Sequence, residues 1–292
     1  MKRGASVKHE MNNELILERK MLLFHQVLKL DYTKCIGCGI CESICPEEAV
    51  KHVPATAKDG RLVKKPLVDF EPTQCTFCGE CIVLCPTNAL KLKENGEEKI
   101  PVVDAEAFPV LLKDVTVDMG KCDPVCSLSC EKECPTKAVN VTTEKRRDVI
   151  EKILDVKVDR EKCIFCGRCE SLCTRSAFHV KKPIYGTVRL DSSLCPKGCR
   201  ICVDVCPSKA ISPRQDEKPS VFEEFCIYCG ACQTSCPENA VVVWRTGVLH
   251  SEVKSGAWIT ALEKLTSSDS MFKKFSATSA KKSREAVSTI ER

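Results

Sequence analysis

Four cysteines lie within eleven residues at Cys35, Cys38, Cys41 and Cys45, and Pro46 follows the fourth directly. Five more runs of the same kind hold Cys75, Cys78, Cys81 and Cys85; Cys122, Cys126, Cys130 and Cys134; Cys163, Cys166, Cys169 and Cys173; Cys195, Cys199, Cys202 and Cys206; and Cys226, Cys229, Cys232 and Cys236. Together they use all 24 cysteines of the 292-residue chain. Thiolates are soft ligands. A zinc site draws two of them from each of two separated knuckles, whereas here four lie together, six times over. The spacing C-x2-C-x2-C-x3-C-P suits an iron–sulfur cluster, whose chemistry is one-electron oxidation and reduction. A disulfide framework belongs to short secreted chains, and this sequence shows no secretory signal pattern at its N-terminus.

The runs resemble those of bacterial-type two-cluster ferredoxins. In that family the first three cysteines of a run hold one cubane and the fourth holds its neighbour. Carried over to sequential pairs of runs, the resemblance implies six [4Fe-4S] clusters. The first takes Cys35, Cys38, Cys41 and Cys85, and the second Cys75, Cys78, Cys81 and Cys45. The third takes Cys122, Cys126, Cys130 and Cys173, and the fourth Cys163, Cys166, Cys169 and Cys134. The fifth takes Cys195, Cys199, Cys202 and Cys236, and the sixth Cys226, Cys229, Cys232 and Cys206. No residue stands out as catalytic. The histidines (His9, His25, His52, His179, His250) are scattered, and no HExxH, P-loop or dinucleotide glycine motif occurs.

Three runs depart from the pattern. The third is stretched to C-x3-C-x3-C-x3-C without an internal glycine, and the fourth ends Cys173-Thr174 without proline. If these two pair, both irregularities fall on one cluster, whose exposure and amide–sulfur bonding would then differ. The fifth opens Cys195-x3-Cys199-x2-Cys202, the triad of radical-SAM enzymes. However, Cys206-Pro207 completes a ferredoxin run, and too few residues follow for a barrel of ~200 or more.

The elements that must carry these runs are short. Gln26–Asp31, Pro66–Phe70, Val115–Asp118 and Val156–Asp159 read as strands leading into runs, and Ala89–Leu92, Ala138–Val141 and Ala240–Val243 as strands leaving them. Each repeat is therefore strand, cluster loop, a turn or two of helix, strand. First cysteines are separated by 40, 47, 41, 32 and 31 residues, and the widest gap places a boundary between the second and third runs. The expected fold class is α+β, with three tandem bacterial-type two-cluster [4Fe-4S] ferredoxin modules at 26–105, 106–190 and 191–250. A nested pairing remains open. Residues 1–25 form an N-terminal arm, in which Leu15, Ile16, Met21, Leu22 and Phe24 suggest an amphipathic helix capped by Asn13. Val149, Ile150, Ile153 and Leu154 suggest an inserted helix over 144–155 in the second module. Residues 251–292 give a short helix with Trp258, Leu262 and Leu265 on one face, then a Ser/Lys-rich basic tail that reads as solvated.

Composition narrows the function. With 2 Trp, 3 Tyr and 10 Phe there is little to build a core from, so the clusters are expected to serve as core as well as cofactor, and the metal-free chain to be largely unfolded. The formal charge of +5 counts thiols as neutral. If each cubane with its thiolates carries about −2, the total falls to roughly −7. The Lys/Arg surplus then compensates buried negative charge. No basic stripe with interleaved aromatics marks a nucleic-acid site, and no apolar stretch approaches the ~20 residues of a membrane span. The chain is expected to be cytoplasmic, and Asn140-Val141-Thr142 to match a glycosylation acceptor by chance.

Over residues 35–237 the chain looks like the polyferredoxins of methanogenic archaea, and Trp258–Leu265 with the basic tail is similar to the F subunit of formylmethanofuran dehydrogenases. The resemblance implies a non-catalytic subunit that relays low-potential electrons to a molybdenum or tungsten pterin enzyme. A hydrogenase or heterodisulfide reductase polyferredoxin, and a scaffold whose clusters only hold the fold, are the alternatives.

Overall fold

The computed structural model describes residues 6–147, 149–213, 218–253 and 255–267. Short strands dominate, and every cysteine run carries a helix of one turn or slightly more. In chain order the elements of the first pair of runs are β1 (Ser6–Met11), β2 (Glu14–Lys20), β3 (His25–Asp31), α1 (Ile40–Ile44), β4 (Val50–Val53), β5 (Thr56–Lys58), β6 (Arg61–Lys64), β7 (Leu67–Phe70), α2 (Glu80–Val83), β8 (Leu90–Glu94), β9 (Glu97–Glu98) and α3 (Pro101–Asp104). The strand that leads into the first run, β3, pairs antiparallel with β8, which leaves the second, with Leu28 opposite Leu92 and Leu30 opposite Leu90. The inner strands β4 and β7 pair likewise, with Val50 opposite Phe70. The alternation in β3 and β7 buries every second side chain, as a half-buried strand requires.

The same interlacing recurs twice. β10 (Asp114–Val117) and β13 (Phe178–Lys181) enclose the third and fourth runs, with α4 (Ser129–Lys132), β11 (Val139–Arg146), β12 (Val149–Val158) and α5 (Arg168–Ser171) between them. β14 (Ile184–Leu190) and β17 (Val241–Val248) enclose the fifth and sixth, with α6 (Ile201–Val205), β15 (Ile211–Pro213), β16 (Pro219–Val221) and α7 (Ala231–Ser235) between them. Helix α8 (Gly256–Thr266) closes the described chain.

Two expected helices are strands instead. Residues 6–20 form a hairpin whose turn, Asn12-Asn13, has φ of 50° and 63°. Two consecutive residues at positive φ make the turn whose twist matches paired strands, so Asn13 turns a hairpin where a helix cap was expected. Leu15 and Leu17 are fully buried beside their partners Leu30 and Leu28 in β3, while Leu22 and Leu23 sit exposed at the next turn. The hairpin widens the first sheet to the order β1-β2-β3-β8-β9. Likewise 144–146 and 149–155 lie in the paired strands β11 and β12, with bulges after Thr142 and Glu144. Val149, Ile150 and Ile153 are β-branched, and the stretch buries Ile153 and half-buries Ile150 while leaving Val149 and Leu154 exposed.

The C-terminal helix forms as expected. Ser255 caps it by accepting from the Ala257 amide. Trp258, Ala261 and Leu265 are buried against Ile40, Ile44, Leu84 and Phe108, so α8 lies across the helices of the first two runs. The basic tail from 268 onward lies outside the described residues. Among the described residues no helix is long and apolar enough to cross a membrane.

Candidate metal centres

In all six runs the fourth cysteine sits in the same turn. The residue three places on has a positive φ: Glu48, Asn88, Lys137, Ser176, Lys209 and Asn239, each at 50–52°. That turn aims the amide of the next residue at the thiol. Ala49, Ala89, Ala138, Ala177, Ala210 and Ala240 donate to the Sγ of Cys45, Cys85, Cys134, Cys173, Cys206 and Cys236 at 3.2–3.3 Å. All six alanines are buried. This C-x3-A feature was readable in the sequence as an alanine recurring four residues after each fourth cysteine, and the cysteine spacing alone had hidden it.

The first cysteines are treated less uniformly. Gly37, Phe77, Phe165 and Tyr228 all adopt positive φ two residues after Cys35, Cys75, Cys163 and Cys226. Their amides bond to those four thiols, with Tyr228 N 3.3 Å from Cys226 Sγ. The x3 spacing of the third and fifth runs leaves no residue in that place at positive φ. Just before the short helices, Gly39, Gly79, Gly167 and Gly230 are left-handed. In the third run Leu128 takes this conformation at φ 55°, and in the fifth Arg200 abandons it.

The thiols gather across runs. Cys85 acts electrostatically on Cys35, Cys38 and Cys41, and Cys45 acts on Cys75, Cys78 and Cys81. Cys122, Cys126, Cys130 and Cys173 line one cavity, together with Thr174. Cys134, Cys163, Cys166 and Cys169 line another. Cys206, Cys226, Cys229 and Cys232 line a third. Cys236 acts on Cys195 and Cys202, with Cys199 beside them. The thiols surround a space: among the described residues no three His, Cys, Asp or Glu groups are placed to grip a single ion.

Burial pushes these thiols up, to about 12 for Cys38, Cys169 and Cys202 and about 11 for Cys75, Cys130 and Cys226. Cys41, Cys81, Cys229 and Cys232 are raised further, by burial first and by the neighbouring thiols second. Four mutually close thiols cannot ionise together in such a setting without a cationic group between them. Four soft donors, a multi-atom space and amides aimed at sulfur fit a cubane iron–sulfur cluster.

The family models agree. One described as a 4Fe-4S dicluster domain matches residues 34–89 and 194–240, and one described as a 4Fe-4S binding domain matches 156–178. A pyruvate synthase subunit, PorD, of Methanocaldococcus jannaschii is 36% identical over 61 residues, 21% of this chain and 67% of that protein. An uncharacterized ferredoxin of the same organism is 40% identical over 58 residues, 19% of this chain and 92% of that protein. A chain of the formate dehydrogenase–heterodisulfide reductase–formylmethanofuran dehydrogenase complex of Methanospirillum hungatei superposes with a TM-score of 0.77 at 30% identity, covering 91% of this chain and 92% of that one. Interlaced strand pairs, thiols grouped across runs and these relatives lead to one conclusion: the chain belongs to the 4Fe-4S ferredoxin domain family.

Proposed function

We propose that the chain is a non-catalytic electron-transfer subunit carrying six [4Fe-4S] clusters in three two-cluster modules, bounded near residues 105 and 190. The ligand sets are the six cross-paired groups given above, from Cys35, Cys38, Cys41 and Cys85 through Cys226, Cys229, Cys232 and Cys206. The observation that carries this reading is the position of each fourth cysteine, whose thiol lies among the first three of the partner run. When bound, the clusters supply one-electron oxidation and reduction at low potential. The chain's own residues hold the thiols, donate amides to sulfur and shut out water with the alanine turns and the strand pairs.

The client in this reading is a molybdenum or tungsten formylmethanofuran dehydrogenase, with this chain in the place of its F subunit. The match over nine-tenths of a chain from a complex containing such an enzyme supports it. That complex also contains a heterodisulfide reductase, which keeps this client as the second reading. Purification of the native complex tests both: the enzyme that co-elutes names the client. Iron and acid-labile sulfide of about 24 each per chain are expected on the same sample. Clusters that never change oxidation state during turnover would reduce the chain to a scaffold.

A further inference from the structure

Three cationic side chains each face thiols of two different modules. Lys113 donates to Asn88 Oδ1 at 3.1 Å and lies 5.3 Å from the centre of the Phe165 ring, between Cys85 and Cys163. Lys182 donates to the carbonyls of Glu224 and Cys226 at 2.5 and 3.1 Å, between Cys166 and Cys226. Arg245 donates from Nε to the Tyr228 carbonyl at 2.8 Å and from Nη2 to the Cys229 carbonyl at 2.5 Å. Its charge faces Cys38 on one side and Cys229, Cys232 and Cys226 on the other.

Each therefore stands at a different boundary: Lys113 between the first and second modules, Lys182 between the second and third, Arg245 between the first and third. The contacts are close. A Cβ built on Gly230 would meet Arg245 Nη2 at 2.8 Å and the Cys38 carbonyl at 3.9 Å. Lys113 and Lys182 also line one cavity where the three modules meet, beside Cys85, Phe165, Ile184 and Ile227.

The hydrogen-bond partners of all three are an amide oxygen or backbone carbonyls. Some other cations sit on carboxylates, as Lys91 does on Glu161 and Arg160 on Asp114, both at the surface; Lys65 and Arg19 also bond to neutral oxygens, but each lies beside the thiols of one module alone. A cation drawn out of water onto neutral partners is costly unless negative charge faces it. Here the thiols of two modules face it, and the carboxylates Glu161 for Lys113 and Glu170 and Glu224 for Lys182 contribute less.

We propose that Lys113, Lys182 and Arg245 are junction cations: each offsets the negative charge of the groups on both sides of a module boundary, raising the reduction potential on each side. They are positioning residues, and the inference rests on the cluster assignment above. One-electron reduction adds one negative charge, so a fixed positive charge nearby favours the reduced form.

The test is an EPR-monitored redox titration of the full chain carrying Arg245→Met, beside Arg245→Lys and the unaltered protein, with iron and sulfide counted on each. Arg245→Met should make the groups next to Cys38 and Cys229 at least tenfold harder to reduce, a negative shift of about 59 mV for one electron. Arg245→Lys should restore most of that shift. Full iron with unmoved midpoints would overturn the proposal and leave the cluster assignment standing. Iron far short of about 24 in the unaltered protein would instead overturn the assignment beneath it. If Arg245→Met loses iron, Lys113→Met and Lys182→Met, which keep the apolar stem, are titrated the same way, and midpoints unmoved in both would overturn it as well.

Discussion

Cys85 is the cysteine that acts most strongly on Cys35, though fifty residues of sequence separate them and Cys75 is nearer in the chain. Its own turn holds it there through the Ala89 amide at 3.3 Å. Replacing Cys85 with Ser should therefore damage the centre that contains Cys35, Cys38 and Cys41 and spare the one that contains Cys75. Spectroscopy of the Cys85→Ser protein, with Cys45→Ser as its mirror, reads this directly. Loss at the Cys75 centre instead would sink the cross-paired sets.

Gly37 is pressed against Pro66. A Cβ at Gly37 would come within 2.4 Å of the Pro66 carbonyl carbon, and its φ is +57°. Gly37→Ala should therefore force the loop away from Pro66 and lower iron content by one cluster's share, whereas Gly96→Ala, with nothing within 4 Å, should keep its iron.

Leu128 occupies a left-handed conformation that glycine takes in four sister runs. Relief of that strain is worth about 1–2 kcal/mol, from which the added freedom of glycine in the unfolded chain takes back roughly 0.5–1 kcal/mol. Leu128→Gly should leave the protein up to about 1.5 kcal/mol more stable, measured as a raised midpoint of thermal cluster loss.

Trp258 is 1% exposed and meets Phe108 edge-on at 5.3 Å between ring centres. Trp258→Ala should cost about 3–5 kcal/mol. Because α8 covers α1 and α2, oxygen bleaching should accelerate first at the two centres of the first module.

The turns that lead into runs predict an acid limb. Asp191 accepts from Ser193 Oγ and N at 2.5 and 3.0 Å, which holds its carboxyl below the usual range. Burial opposes the same effect at Asp31, but the Thr33 hydroxyl and amide outweigh it; at Asp159 the neighbouring Lys162 leads. A depressed folded value means the stabilisation is full above the unfolded value of about 3.9 and is lost as pH falls through the folded one. Combined Asp31→Asn, Asp159→Asn and Asp191→Asn should flatten the loss of folded signal below about pH 4; an unchanged acid midpoint would show that these turns contribute nothing to it.

What could be read in advance followed range of interaction. The cysteine ladder, the strands beside it and the α8 face are local patterns, so periodicity and spacing reveal them. The two hairpins were misread because Leu15, Ile16 and Met21, or Val149, Ile150 and Ile153, fit a helical face as well as a strand, and the deciding signals were turns and cross-strand partners. Asn12-Asn13 was such a signal, and β-branching at 149–153 another. The junction cations had no signature at all. Nothing in the sequence sets Lys113, Lys182 and Arg245 apart among 45 Lys and Arg residues, and only the fold brings Arg245 to a thiol 207 positions away.

Helix α8 is the last described element to leave the ribosome, and it covers the first pair of runs. The earliest centre to be synthesised is thus the last to be closed. While the other four runs are being made, the helices of the first two stay uncovered, and iron and sulfide can reach them from that side. Assembly of this chain is in that sense a race between cofactor delivery and the arrival of Trp258, and any truncation ahead of that residue would leave the oldest part of the molecule open for good.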